Sequence, residues 1–122
     1  MTGSTDTELG RIEVAPSAIA HLVSQVAVQC YGVVGLAART LRGGIAQLLH
    51  RGEEAYRKGV QVRIDEDHVA IDLYVILEHG TRISEVARNV METVQYAVER
   101  SLGIPVAEVN VHVQGLRIQE QP

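Results

Sequence analysis

The sequence contains no phenylalanine, no tryptophan, one cysteine and one lysine. Each scarcity excludes something. Without Phe or Trp, the core has to be filled by Val, Ile, Leu and Ala. A single cysteine, Cys30, rules out an internal disulfide and any zinc site built on cysteines, which fits a reducing compartment. Lys58 is the one lysine among eleven basic residues, and the net charge is -4. That balance opposes a general affinity for phosphate backbones, which requires clustered positive charge. No apolar run approaches the roughly 20 residues needed to span a bilayer. The opening residues MTGSTDTELG are polar and acidic, unlike a signal peptide.

Chemical motifs are equally sparse. There is no P-loop, no dinucleotide fingerprint and no nucleophile elbow. The five histidines, His21, His50, His68, His79 and His112, share no element at metal-ligand spacing. The Asp65-Glu66-Asp67 run lacks the alternating oxygen donors of a calcium loop and reads as a solvated turn. No carboxylate pair is spaced for acid–base work. The expectation is no catalytic residue, no metal and no cofactor.

What the chain does have is periodicity. Residues 1–9 are expected to be a disordered tail, followed by one domain over residues 10–118. Ile12 and Val14 alternate with charged neighbours, a short strand. Pro16 suits a first helical position, although Ala15 is a poor cap. Ile19, Leu22, Val23, Val26, Ala27 and Cys30 recur at helical steps, which makes one face of an amphipathic helix.

The stretch CYGVVGLAAR, residues 30–39, admits three readings. Cys30 could be a reactive thiol, but it lies in register with the apolar stripe and lacks a charged neighbour, so a small core residue is the better reading. Gly32-Val33-Val34-Gly35 has the G-x-x-G spacing of a K-homology loop that clamps RNA, but both middle positions are Val and no basic surface surrounds it. The third reading is structural: Gly32 closes the helix in a left-handed conformation, and Val33 onward returns as a strand.

Residues 39–59 form an irregular insert, mildly basic, with glycines near both ends. Val60, Val62 and Ile64, then Val69, Ile71, Leu73, Val75 and Leu77, alternate around the acidic turn and predict a β-hairpin. A second helix is expected after Gly80-Thr81, with Thr81 as cap and Ile83, Val86, Ala87, Val90, Met91, Val94, Ala97 and Val98 as its apolar face. Gly103-Ile104-Pro105 ends it. Val109, Val111 and Val113 give a last strand, with a bulge at Gly115.

Two single-faced helices cannot cover both sides of such a sheet. The fold class is therefore α+β, a two-layer sandwich with two main helices on one face of a mixed, mostly antiparallel sheet. The other face then meets water. It would carry Ala70, Asp72, Tyr74 and Ile76, with Gln61, Arg63, Asn110, His112 and Gln114 beside them. Tyr74 and Ile76 suit water least and are the candidate interface for a protein partner or a second copy. Gly80, Thr81 and Arg82, at a helix N-terminus, are a weaker candidate for holding an anion. Ordinary capping accounts for the same residues.

Several stretches resemble one family as a set: GRIEVAPSAIAHLVSQVAVQCYGVVGLAAR, GVQVRIDEDHVAIDLYVILEHGTRISEVARNVMETVQYAVE and VNVHVQGLRI, spanning most of Gly10 to Ile118. The chain is similar to the alkaline shock protein 23 family of bacterial envelope-stress proteins. Within that family, the Cys-Tyr-Gly-Val-Val-Gly variant looks closest to a branch often encoded beside a fatty-acid kinase. The resemblance implies a non-enzymatic cytoplasmic protein that works through protein partners, a second copy of itself being one candidate, with any membrane association made only through a separate anchor protein. It favours a scaffold or adaptor in envelope homeostasis. The alternatives are a regulatory partner of a lipid-metabolic enzyme such as a fatty-acid kinase, and a K-homology-like RNA-binding module. Nucleic acid is disfavoured by the charge balance.

Overall fold

In a computed structural model, residues 3–37, 54–57, 59–65 and 68–118 are described. The long strand β6 (His68–Glu78) organises them. Its alternation sends Val69, Ile71, Leu73, Val75 and Leu77 inward, where all five are fully buried. β5 (Val60–Asp65) pairs antiparallel with its first half, from Asp65 opposite His68 to Val60 opposite Leu73. This is the expected hairpin; its turn residues, Glu66 and Asp67, lie outside the described residues.

The second half of β6 takes a different neighbour on the same edge. β3 (Val33–Leu36) pairs antiparallel with Val75–Leu77. β7 (Val106–Arg117) runs parallel along the opposite edge from Val69 to Glu78. β3 and β5 thus meet end to end at Tyr74. The Ala37 N–H donates to the Tyr74 carbonyl oxygen, and the Tyr74 N–H donates to the Gly59 carbonyl oxygen, both at 2.8 Å. β4 (Glu54–Arg57) adds antiparallel to β5. This corrects the expectation of an irregular insert over those four residues. The rest of that expectation, residues 39–53 and residue 58, lies outside the described residues.

Two helices cover the inner face and pack on each other. α1 (Pro16–Ala27) begins after an Ala15 that makes no side-chain cap. It buries Ile19, Ala20, Val23 and Ala27, with Leu22 and Val26 at the margin. It stops before Cys30, which lies in the following turn but is still buried against the core. Gly32 adopts the positive φ expected of it, at +85°.

α2 (Ile83–Leu102) buries a narrower stripe than expected: Val86, Val90, Val94 and Val98, each four residues apart. Ile83 and Met91, assigned to that stripe from the sequence, are exposed on its flank. Ala87 and Ala97, assigned to the same stripe, are half-buried beside it. Gly103 ends α2 with φ of 68°, and its N–H donates to the Glu99 carbonyl oxygen at 2.9 Å. The α+β two-layer arrangement with a mixed, mostly antiparallel sheet is as the periodicity predicts.

The N-terminus differs from expectation. β1 (Gly3–Thr7) pairs antiparallel with β2 (Gly10–Val14) as a separate ribbon, where a disordered tail was expected. Turn chemistry supplies the reason. The Thr7 hydroxyl accepts from the Leu9 and Gly10 N–H groups and donates to the Gly10 carbonyl, a side chain standing in for a backbone turn. Asp6 and Arg11, opposite each other in register, form an ion pair at 3.1 Å.

Candidate functional site

The outer face of the sheet collects residues from three strands by register alone. Gln61, Asp72 and Asn110 lie in one row; Arg63, Ala70 and Glu108 in the next; Tyr74 and His112 are opposite each other. No described helix covers this face. Even so, Asp72 is only 9% exposed, because its neighbours close over it.

Asp72 holds three donors. Arg63 Nη2 donates to Oδ2 at 3.1 Å, Asn110 Nδ2 donates to Oδ1 at 3.2 Å, and His112 Nε2 lies 3.1 Å from Oδ1. Arg63 also reaches Glu108 Oε1 at 3.7 Å. Burial by itself pushes the Asp72 carboxyl up. The hydrogen bonds from His112, Asn110 and Arg63, with the Arg63 charge, outweigh it and hold the group below the usual carboxylate range.

The Tyr74 and His112 rings stack, with centroids 4.6 Å apart and planes 12° from parallel. Tyr74 is therefore half-buried, with one ring face against imidazole. Ile76, also half-buried, follows it on the same face. The two interface residues expected from the sequence do share a surface. The sequence placed Arg63, Asp72, Asn110 and His112 on that surface as water-facing residues; the network among them was missed. Strand alternation gave their common face, but cross-strand register was needed to bring them within hydrogen-bond reach. At Gln114, which is exposed, the β6–β7 register shifts, with Val75 opposite Val113 and Ile76 opposite Gly115. This is the irregularity expected at Gly115.

The second candidate lies at the start of α2. Gly80, Thr81 and Arg82 border a depression of about 430 Å³ with Tyr31, Glu85, Val86 and Asn89. Thr81 does not cap α2, contrary to expectation. Its hydroxyl donates to the Glu78 carbonyl at 2.7 Å, and the cap position is Arg82, without a side-chain cap bond. Thr81 lies one residue before the cap position, and its hydroxyl closes the local 78–81 turn. Arg82 is paired with Glu85 at 2.8 Å, so the positive charge at this helix start already has a counterion.

Gly32-Val33-Val34-Gly35 does not form a clamping loop. Val33–Leu36 is strand β3, and Val33 packs on the core. A Cβ on Gly32 would lie 2.9 Å from Val86 Cγ2, so Gly32 is the point where the turn crosses α2. Cys30 Sγ lies 3.6 Å from the Val26 carbonyl oxygen. Burial pushes its thiol up, against a smaller opposing effect of a hydrogen bond with Thr93. A raised thiol pKa disfavours the nucleophilic thiolate. Among the described residues, no group of three or more His, Cys, Asp or Glu is placed to hold a metal ion, and no helix is long and apolar enough to cross a membrane.

The model of the alkaline shock protein 23 family, described as having a "cell envelope-related function", matches residues 4–118. The chain belongs to that family. Among its relatives, YloU of Bacillus subtilis is 40% identical over 113 residues, covering 92% of each chain. Spy1614 of Streptococcus pyogenes is 34% identical over 119 residues, covering 97% of each. A "Stress response regulator gls24 homolog" of Streptococcus pyogenes is 31% identical over 68 residues, 56% of this chain and 38% of that protein. Among solved structures, one described as "MamM CTD - Copper form" superposes with a TM-score of 0.51 at 14% identity, covering 87% of this chain and 91% of that one. At that identity the likeness concerns the fold alone.

Proposed function

We propose that this alkaline-shock-family chain is a non-enzymatic adaptor in cell-envelope homeostasis. It works in the cytoplasm through protein–protein contacts and reaches a membrane only through a partner. The observation that carries this reading is the outer sheet face. Tyr74 and Ile76 lie there beside a polar network whose one buried carboxylate is committed to three donors. A carboxylate so engaged is a rigid support for a surface and is poorly placed for proton transfer. A half-buried aromatic and an aliphatic side chain on a rigid, polar-rimmed surface have the make-up of a contact anchor.

The test is purification of tagged protein from native cells, comparing the wild type with Tyr74→Glu combined with Ile76→Lys. A defined protein retained by the wild type and lost by the folded double variant is the expected result. Identical retention by both overturns the assignment of this face. Retention of nucleic acid that falls steeply with salt would overturn the adaptor reading itself.

A further inference from the structure

The long strand β7 lies at an edge of the sheet; at its first residue the Val106 N–H donates to Glu99 Oε2 at 3.0 Å. Among the described residues, β7 pairs with β6 alone. The side of β7 away from β6 runs for 12 residues. Exposed edges of this length normally carry proline, lysine, an inward-pointing charge or a β-bulge to limit pairing with another chain; of these β7 has bulges, near Val106 and at Gln114. Val106–Arg117 has neither proline nor lysine. Its inward row consists of Val106, buried, Val109, Val111 and Val113, each half-buried, and Leu116, 47% exposed.

Register adds a second feature. Glu108 lies opposite Ala70 and Arg117 opposite Glu78, both on the outer face. Nine positions apart in an unbroken strand, they would point to opposite faces. The extra residue at Gln114 brings them to the same one. The outer row of β7 therefore carries a half-exposed negative charge near its start, shared at 3.7 Å with Arg63, and a positive charge at its end. Such a row is complementary to itself when reversed.

We propose that a second copy of this chain pairs with this edge, β7 antiparallel to β7, about a two-fold axis at His112. In that register Glu108 faces Arg117 of the second copy, twice over, and Asn110 faces Gly115. Val111 faces Val113 and Val109 faces Leu116, so the half-exposed inward row is completed by its own copy. A two-fold axis perpendicular to the sheet keeps both copies' helices on one side and makes one continuous sheet, an isologous contact that closes on itself. The bulge at Gln114 is accommodated because two residues can oppose one in an antiparallel pair.

The dimer does not rest on the adaptor reading, which concerns the face of the sheet and not its edge. Light scattering across a concentration series is expected to show a dimer. Glu108→Arg alone, and Arg117→Glu alone, should each weaken it by about tenfold, as cross-strand like charges do when placed twice. The two together should restore it, with circular dichroism confirming the fold of each. In a Cys30→Ala background, His112→Cys should form a disulfide-linked dimer on mild oxidation, since residues at the two-fold axis are neighbours. Three results would each overturn the proposal: a wild type that is monomeric throughout, a double reversal that fails to restore the dimer, or no cross-link through residue 112.

Discussion

Gly59 and Leu36 touch so closely that a side chain on Gly59 has nowhere to go. A Cβ there would lie 2.6 Å from Leu36 Cβ and 3.1 Å from the carbonyl oxygens of Ala37 and Tyr74. Gly59 also has φ of +77°. It is the residue that lets β3 and β5 share one edge of β6. Positive φ and backbone contact act together, so Gly59→Ala is expected to cost more than about 2 kcal/mol. Gly80 is the control: its φ is +96° but nothing lies within 4 Å of its Cβ position. Gly80→Ala should cost about 1 kcal/mol, from the backbone alone. Urea denaturation of the two variants separates the steric part from the conformational part; equal losses would show that the β3–β5 junction relaxes.

The Asp72 network predicts a pH dependence with a definite sign. A carboxyl held below its ordinary value in the folded protein stabilises it once pH is above the unfolded value, about 4. That stability is lost as pH falls through the folded value. Wild-type protein should therefore lose stability on acidification below about pH 4, and Asp72→Asn should lose less over the same range while being less stable at neutral pH. Asp72→Ala, which leaves Arg63, Asn110 and His112 without their shared acceptor, is expected to cost about 1–3 kcal/mol. Thermal melts from about pH 3 to pH 7, run on all three proteins, check both points. Parallel acid profiles for wild type and Asp72→Asn would remove Asp72 from the account.

What the sequence revealed and what it concealed divide along physical lines. The alternation of β6 and the four-residue steps of α2 are local patterns, so the two layers and most buried residues could be read directly. The ending of α2 was also legible, because glycine followed by Ile104 and Pro105 is a local signal. β4 and β1 were missed because each is a short strand, Glu54–Arg57 and Gly3–Thr7, held by pairing with a neighbour and not by an apolar pattern of its own. The Asp72 network was half legible. Alternation placed its members on one face, but a parallel register between residues 38 and 40 positions apart decided that Asn110 and His112 would reach Asp72. Thr81 shows the limit of cap statistics: the helix starts one residue later than its threonine suggests, with Arg82 at the cap position.

Gly103 should resist replacement by a β-branched residue. Its φ of 68° is left-handed, and nothing lies within 4 Å of a Cβ built on it. Space is available there, so any penalty is conformational. Gly103→Val is expected to lose more than about 1 kcal/mol, and Gly103→Asn less, since asparagine tolerates this region. Melting temperatures in that order support the left-handed ending of α2. An unchanged melting temperature for Gly103→Val would mean that the helix end rearranges around the new residue.

Cys30 should behave as a core residue with an alkaline signature. It is buried among the residues that join α1 to the sheet, and its thiol is pushed up by that burial. A thiol reagent is therefore expected to label unfolded protein far faster than native protein at neutral pH. The linkage sign is opposite to that of Asp72. A raised folded value leaves stability intact below the unfolded thiol range, about 8.5, and erodes it as pH rises through the folded value. Cys30→Ala should cost on the order of 1 kcal/mol at neutral pH, as a small core truncation, and should lose less than wild type between about pH 8 and pH 10. Rapid labelling of the native protein, or identical alkaline profiles for wild type and Cys30→Ala, would show that the thiol is reachable by solvent and not part of the core.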